Sequence, residues 1–383
     1  MDQADAEGAA APRRRGLRLG GLAAGSFVLL VAAALAVGLV SADRGWLLTH
    51  PPVQPVQGDP ANQAALEYRC LPVPMPEFCT AQPLFTPGQH IPIFAWILPA
   101  VPETPQGYPG SSGNWSDSTV VLVSDHGQSR TPSNFPVWTV SQLLVQAGYN
   151  VVLFDTRGTG QSGGSGIAFG TLEVRDLLTV VDYFHDLGGP PQGYIAVWGL
   201  GTGADTAILA AAQDPNIAAV IADSPYLTPG EYLRRAIPGW TGLPAFPFAR
   251  TILWTMQWET GVGYGAYNPL AAAARLGGRD ARPLLVVAGE ADRLTPPADA
   301  QRLFQAAGPR AFEYPVPGAG HLQAYAKSAP DAAVSSLTTY DCLVLNTLKA
   351  MQAGTGNASP GGPFGPCGGY QVSTSTASPG GGL

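Results

Sequence analysis

Short apolar runs recur through the middle of the chain at 93–98, 119–124, 150–155, 194–198, 218–223, 283–288 and 312–316. Each is bounded by Gly, Pro, Asp or Ser, which is the pattern of buried strands. Between several of them the apolar positions recur with helical spacing, at 137–147, 172–187, 204–213, 298–307 and 331–351. Strands alternating with helices predict an α/β architecture, a mostly parallel sheet covered on both faces.

An insert at about 226–276 interrupts this alternation and carries Tyr232, Trp240, Phe246, Phe248, Trp254, Trp258, Tyr264 and Tyr267. Such aromatic density predicts either a small satellite core or a lid over an apolar substrate pocket. At the other extreme, residues 43–90 are Pro-rich and read as a stalk, and 353–383 form a Gly/Pro/Ser-rich tail.

The most uniform apolar stretch is at the N-terminus. Arg13, Arg14, Arg15 and Arg18 precede an uncharged segment at 19–42, long enough for one membrane-spanning helix. Basic residues on its N-terminal side place residues 1–18 in the cytoplasm and the folded domain, 91–352, outside the cell membrane. Cleavage near Ala42, giving a secreted protein, is the rival reading, because Val40-Ser41-Ala42 suits a small-residue cleavage site. The apolar run exceeds a signal peptide's usual core of about 7–15 residues, which favours an uncleaved anchor.

Composition narrows the partners. The formal net charge is −7 and no basic patch follows the N-terminus, which argues against nucleic acid as a partner. The four cysteines, Cys70, Cys79, Cys342 and Cys367, form an even set in an exported chain and predict two disulfides, local pairing being the simplest connectivity. No histidine sits at ligand spacing from either pair, so neither a metal nor any other cofactor is expected.

Candidate chemistry centres on Y-I-A-V-W-G-L-G-T-G-A at 194–204, an apolar run that breaks into a Gly-rich turn before an alanine-rich helix. This is the shape of a G-x-S-x-G elbow with Gly201 in the serine position. Gly199, Gly201 and Ala204 also fit a dinucleotide fingerprint, with Asp223 about 20 residues on, so nicotinamide-dinucleotide binding at 199–204 is a minority alternative.

Four further blocks occur in a fixed order around that turn. They are V-V-L-V-S-D-H-G at 120–127, G-Y-N-V-V-L-F-D-T-R-G-T-G-Q-S-G-G at 148–164, P-L-L-V-V-A-G-E-A-D-R-L-T-P-P at 283–297 and G-A-G-H at 318–321. Together the five blocks resemble the α/β-hydrolase superfamily, in its monoglyceride-lipase or serine-aminopeptidase-like branch, over about 91–351. The resemblance implies a doubly wound sheet with a cap, and hydrolysis of an ester, thioester or amide. It implies Asp292 as triad acid, His321 as base, and the turn at Gly127, with the backbone N–H groups of Gln128 and Thr202, as the oxyanion site. Asp155, Arg157 and Asp223 match family positions with scaffold roles.

The serine alone is missing, since glycine has no side chain with which to attack. Three readings stay open. The chain is a pseudoenzyme that binds a small ester-, lipid- or peptide-like molecule, or a carboxylate at the bare helix N-terminus beside Gly201. Alternatively, His321 and Asp292 activate water as a dyad. In the third reading a nearby hydroxyl, Ser224 being the candidate, replaces the serine.

Overall fold

The computed structural model describes residues 16–52, 82–85, 91–98, 118–127, 137–186, 194–278, 281–328 and 337–352, with isolated positions between them. Eight strands form one sheet: β1 (Gln82–Phe85), β2 (Pro92–Leu98), β3 (Ser118–Val123), β4 (Asn150–Phe154), β5 (Tyr194–Leu200), β6 (Ile217–Asp223), β7 (Leu284–Gly289) and β8 (Ala311–Val316). Their spatial order is β1-β2-β4-β3-β5-β6-β7-β8. The β1–β2 and β2–β4 pairs are antiparallel, and every pair from β4 to β8 is parallel.

The helices are α1 (Gly16–Thr49), α2 (Val137–Gln146), α3 (Glu173–Asp186), α4 (Thr202–Ala211), α5 (Pro229–Thr241), α6 (Arg250–Thr260), α7 (Pro269–Leu276), α8 (Pro297–Ala307), α9 (Ala324–Lys327) and α10 (Thr339–Gln352). Successive strand residues point to opposite faces, and this separates two cores. Val121 and Val123 of β3 join the core built with α3, α4, α7 and α8. Val120 and Leu122 join the core built with α2 and α10. The central strands are apolar on both faces because both faces are covered.

The insert builds its own core. Tyr226, Tyr232, Leu233 and Ile237 meet Ile252, Met256 and Tyr264, with Phe169 packed beneath them. The aromatic density of the cap therefore serves a satellite core in part. Phe246, Trp254 and Trp258 are left 86%, 66% and 74% exposed.

Two segments depart from the sequence pattern. Gln82–Phe85 lies in the Pro-rich stretch taken as stalk, yet it pairs with β2 and extends the sheet edge. The N-terminal helix runs on to Thr49, past the end of its apolar run at Ala42. Residues 41, 45 and 49 form a buried stripe at i, i+4, i+8, while Phe27 to Leu39 of the same helix are largely exposed. Ser41 and Gly45 of that stripe lie against α6, while the Thr49 carbonyl accepts from the Ile167 N–H at 2.7 Å. The Ser41 and Thr251 hydroxyls are 2.7 Å apart, and the Thr255 hydroxyl donates to the Ser41 carbonyl at 2.9 Å. Gly45 is required there, because a Cβ would overlap the Thr255 hydroxyl. α1 is long and apolar enough to cross a membrane.

Below the sheet's carboxyl edge, Arg157 and Asp176 form a buried pair with Nη2–Oδ1 at 2.7 Å. The Asp176 carboxylate also accepts from the Arg157 backbone N–H, fixing the turn after β4. Removing one member of such a pair leaves an uncompensated buried charge. Asp176→Ala should destabilise the chain by about 3–5 kcal/mol, read as a lowered urea midpoint of the detergent-solubilised protein.

Candidate active site

β5 ends at Leu200 and α4 begins at Thr202, so the chain reverses at Gly201, with φ 54° and ψ −121°. Gly201 N–H donates to the Asp223 carbonyl at 2.8 Å, which holds the turn against β6. The sharp elbow that presents a nucleophile is thus built, with nothing on its Cα to present.

The space is not empty. A Cβ added at Gly201 would stand 2.5 Å from Oδ1 of Asp125, a residue in the turn after β3. That oxygen accepts from the Thr202 N–H at 2.9 Å and from the Thr202 hydroxyl at 2.9 Å. The same hydroxyl accepts from the His126 N–H at 2.9 Å. His126 adopts a left-handed φ of 54° to follow this path. Asp125 therefore sits at the positive end of α4, where an anion is stabilised by free N–H groups and the helix dipole.

This changes three sequence-based assignments. The helix N-terminus beside Gly201 is occupied by the chain's own carboxylate, so an external carboxylate would have to displace Asp125. The Thr202 N–H is engaged by Asp125, and the Gly127 N–H donates to the Ser124 carbonyl at 3.1 Å. Neither is free to receive a reacting oxygen. Gln128, the other assigned donor, lies outside the described residues, as do Cys70, Cys79 and Cys367; Cys342 is buried on α10.

The loops after β7 and β8 bring Asp292 and His321 together. His321 Nδ1 lies 2.9 Å from Asp292 Oδ2, and its Nε2 is buried with no hydrogen-bond partner. Burial opposes charge on His321, but the bond to Asp292 and the fields of Asp125, Asp292 and Asp223 outweigh it and raise its pKa. Burial likewise opposes charge on Asp292, yet His321 and Thr295 hold its carboxyl below the ordinary range. Asp125 is held low in the same way, against burial, by His126, His321 and the Thr202 bonds. His321 and the two carboxylates thus favour one another's charged forms.

Ser224 is not placed as a nucleophile. Its hydroxyl donates to Asp223 Oδ1 at 2.9 Å and accepts from the Leu322 N–H at 3.3 Å. Asp223 also accepts from the Tyr340 hydroxyl at 2.9 Å, and burial pushes its pKa up to about 6 despite both bonds. Asp223 and Ser224 together fasten β6 to the His321 loop and to α10.

The cap roofs the site with aromatic rings. Tyr232 lies 6.2 Å from the His321 ring, centroid to centroid, and Trp240 packs against His126, Phe169 and Tyr232. A small cavity under the oxyanion turn is lined by His126, Thr156, Phe169, Glu173, Thr202 and Thr206 among others. Sequence reading missed Asp125, whose signal was an acidic residue immediately before the His-Gly turn. Among the described residues no group of His, Cys, Asp and Glu could hold a metal ion.

The strand order, the elbow between β5 and α4, and an acid and a histidine after β7 and β8 are the arrangement of the α/β-hydrolase fold. Comparison with known proteins agrees. Residues 85–238 match the model of the X-Pro dipeptidyl-peptidase (S15) family. The uncharacterized protein YqkD of Bacillus subtilis is 28% identical over 189 residues, 49% of this chain and 60% of that protein. The uncharacterized protein YfhR of Escherichia coli O157:H7 is 22% identical over 239 residues, 62% of this chain and 75% of its own. The chain thus spans well under two thirds of YqkD. An esterase of Pyrococcus furiosus, Pf2001, superposes with a TM-score of 0.55 at 20% identity, covering 79% of this chain and 97% of that one. The chain has the α/β-hydrolase fold.

The charge cluster sets a pH dependence. The folded pKa of His321 is raised, so its contribution to stability is full below its unfolded value near 6.5 and is lost as pH rises through the folded value. Stability from denaturant titrations should fall as pH rises above about 6.5. His321→Gln should remove that part of the slope and also shrink the acid limb, because His321 is among the groups that hold Asp125 and Asp292 low.

Proposed function

We propose that this chain is a membrane-anchored, extracytoplasmic α/β-hydrolase homologue that binds an apolar ester-, lipid- or peptide-like molecule without forming an acyl-enzyme. One observation carries the reading. Asp125 occupies the place of the serine side chain and holds the Thr202 N–H that would stabilise a tetrahedral oxygen. A fixed negative charge there would repel the oxyanion of acyl transfer instead of stabilising it.

The raised pKa of His321 points the same way, because it lowers the share of the neutral ring, the form that accepts a proton. The aromatic roof of Tyr232 and Trp240 supports an apolar ligand. Retention of the anchor is supported by Ser41, which is fully buried against α6 and would be lost by cleavage near Ala42. The four N-terminal arginines favour a cytoplasmic N-terminus.

A second reading, water activation by the His321–Asp292 dyad, is favoured by the unpartnered Nε2 of His321. The dinucleotide reading is opposed by Asp125, whose carboxylate stands at the helix terminus a pyrophosphate would need. Stabilisation in thermal shifts by fatty acids but not by NAD fits the proposal; stabilisation by NAD alone would restore the dinucleotide reading.

The deciding assay is hydrolysis of short-chain p-nitrophenyl esters, with turnover and acyl-enzyme mass as readouts. Wild type and Gly201→Ser should both be inert, because the new Cβ meets Asp125. Gly201→Ser combined with Asp125→Ala should gain at least about 10²-fold activity, abolished by a further His321→Ala. Wild-type turnover that disappears in His321→Ala would overturn the proposal in favour of the dyad.

A further inference from the structure

The path of α1 fixes where the cap stands. Residues 19–40 form an uncharged stretch of α1, and at 1.5 Å per residue these 22 positions span roughly 33 Å, about the thickness of a bilayer's hydrocarbon core. Ser41, the next residue, is already buried against the cap. No linker separates the apolar span from the folded domain, since one helix runs through both. The headgroup layer on each side of the core is only about 5–8 Å deep. The part of the cap that grips Ser41 and Gly45 must therefore lie within or directly on that layer.

The residues exposed at this junction have the matching chemistry. Thr251 and Thr255, which hold α1, share one face of α6 with Trp254 and Trp258, at i, i+3, i+4 and i+7. Those two indoles are largely exposed and stand next to the α6 residues that hold α1. Phe246 lies in the turn leading into α6, and Trp46, half exposed, lies on α1 itself. Exposed aromatic residues gathered around one helix exit are a patch that water penalises and a lipid headgroup layer accommodates.

We propose that the cap is seated in the lipid headgroup layer, with Phe246, Trp254 and Trp258 inserted as an interfacial belt around the base of the anchor. The occupant of this surface is the bilayer itself. A ligand approaching the site would then meet a lid already in lipid, its inner wall lined by Trp240 and Tyr232 above His321. The inference rests on the reading of α1 as an uncleaved anchor.

The test uses the full chain in phosphatidylcholine nanodiscs containing lipids brominated at defined acyl depths, with Trp46→Phe as the background. Tryptophan emission should be quenched most by the shallowest bromines. Adding Trp254→Phe and Trp258→Phe should cut the bromine-quenched signal by about twofold or more, as expected when these indoles lie in the interface. Both side chains are exposed, so phenylalanine leaves the cap core intact, and an unchanged melting temperature verifies it. Quenching unaltered by their removal would overturn the proposal, as would shielding of the patch by a second copy, seen as a dimer in the nanodisc that these substitutions dissolve. Release of the full chain from membranes by alkaline carbonate would instead remove the anchor reading, and the seated lid with it.

Discussion

The bond between the Asp125 carboxylate and the N-terminus of α4 organises the carboxyl edge of this sheet around the elbow. Two charge-assisted bonds from one residue, Thr202, end on one oxygen, each of a kind worth about 1.5–3 kcal/mol. They draw the turn after β3 onto the elbow after β5. The left-handed backbone of His126 and the close approach of Gly127 to Thr156 follow from that path. In an acyl-transferring enzyme this place must stay open for an oxygen that becomes negative only during reaction. Here the Asp125 carboxylate takes the Thr202 N–H, and the absence of a Cβ at 201 leaves room for it, since a Cβ there would stand 2.5 Å from Asp125 Oδ1.

Much of this was legible in the chain, and the limits were physical. The strands of the sheet's centre announced themselves because burial on both faces makes them continuously apolar. Gln82–Phe85 did not, being four residues whose strand character comes only from pairing with β2. Asp43 and Arg44 ended the apolar run and so marked the edge of the membrane span, but charge does not end a helix. The small residues at 41, 45 and 49 continue α1 into the cap. Gly201 was readable as a missing nucleophile. That Asp125 replaces it was not, because the contact joins residues 76 positions apart through the parallel pairing of β3 with β5. Ser224 was readable as a nearby hydroxyl, but its bond to the adjacent Asp223 was not.

The persistence of Asp292 and His321 beside a missing serine looks at first like evidence for chemistry. Their hydrogen bonds offer a sufficient structural cause. Asp292 accepts from the N–H groups of Leu294 and Thr295 and from the Thr295 hydroxyl, as well as pairing with His321. It closes the loop between β7 and α8. The residue after His321, Leu322, donates its N–H to Ser224, whose hydroxyl is held by Asp223. Replacing Asp292 would leave several buried donors unsatisfied, each at a cost of about 1–3 kcal/mol. A carboxylate there is retained by the fold whether or not a proton is ever transferred.

The same reasoning applies to the charge on His321. With Asp292 hydrogen-bonded to the ring and Asp125 acting on it through its charge, His321 is raised and both carboxyls are held low. A hydrolase needs that ring neutral at rest, so that it can take a proton, and it positions only one carboxylate to steady it. A second carboxylate shifts the ring toward its charged form. On the proposed reading, catalysis by this dyad would first have to move Asp125 away. A ligand able to do so must supply its own acceptor for the Thr202 N–H, and the cap directs such a ligand past Tyr232 and Trp240, where apolar surface is favoured.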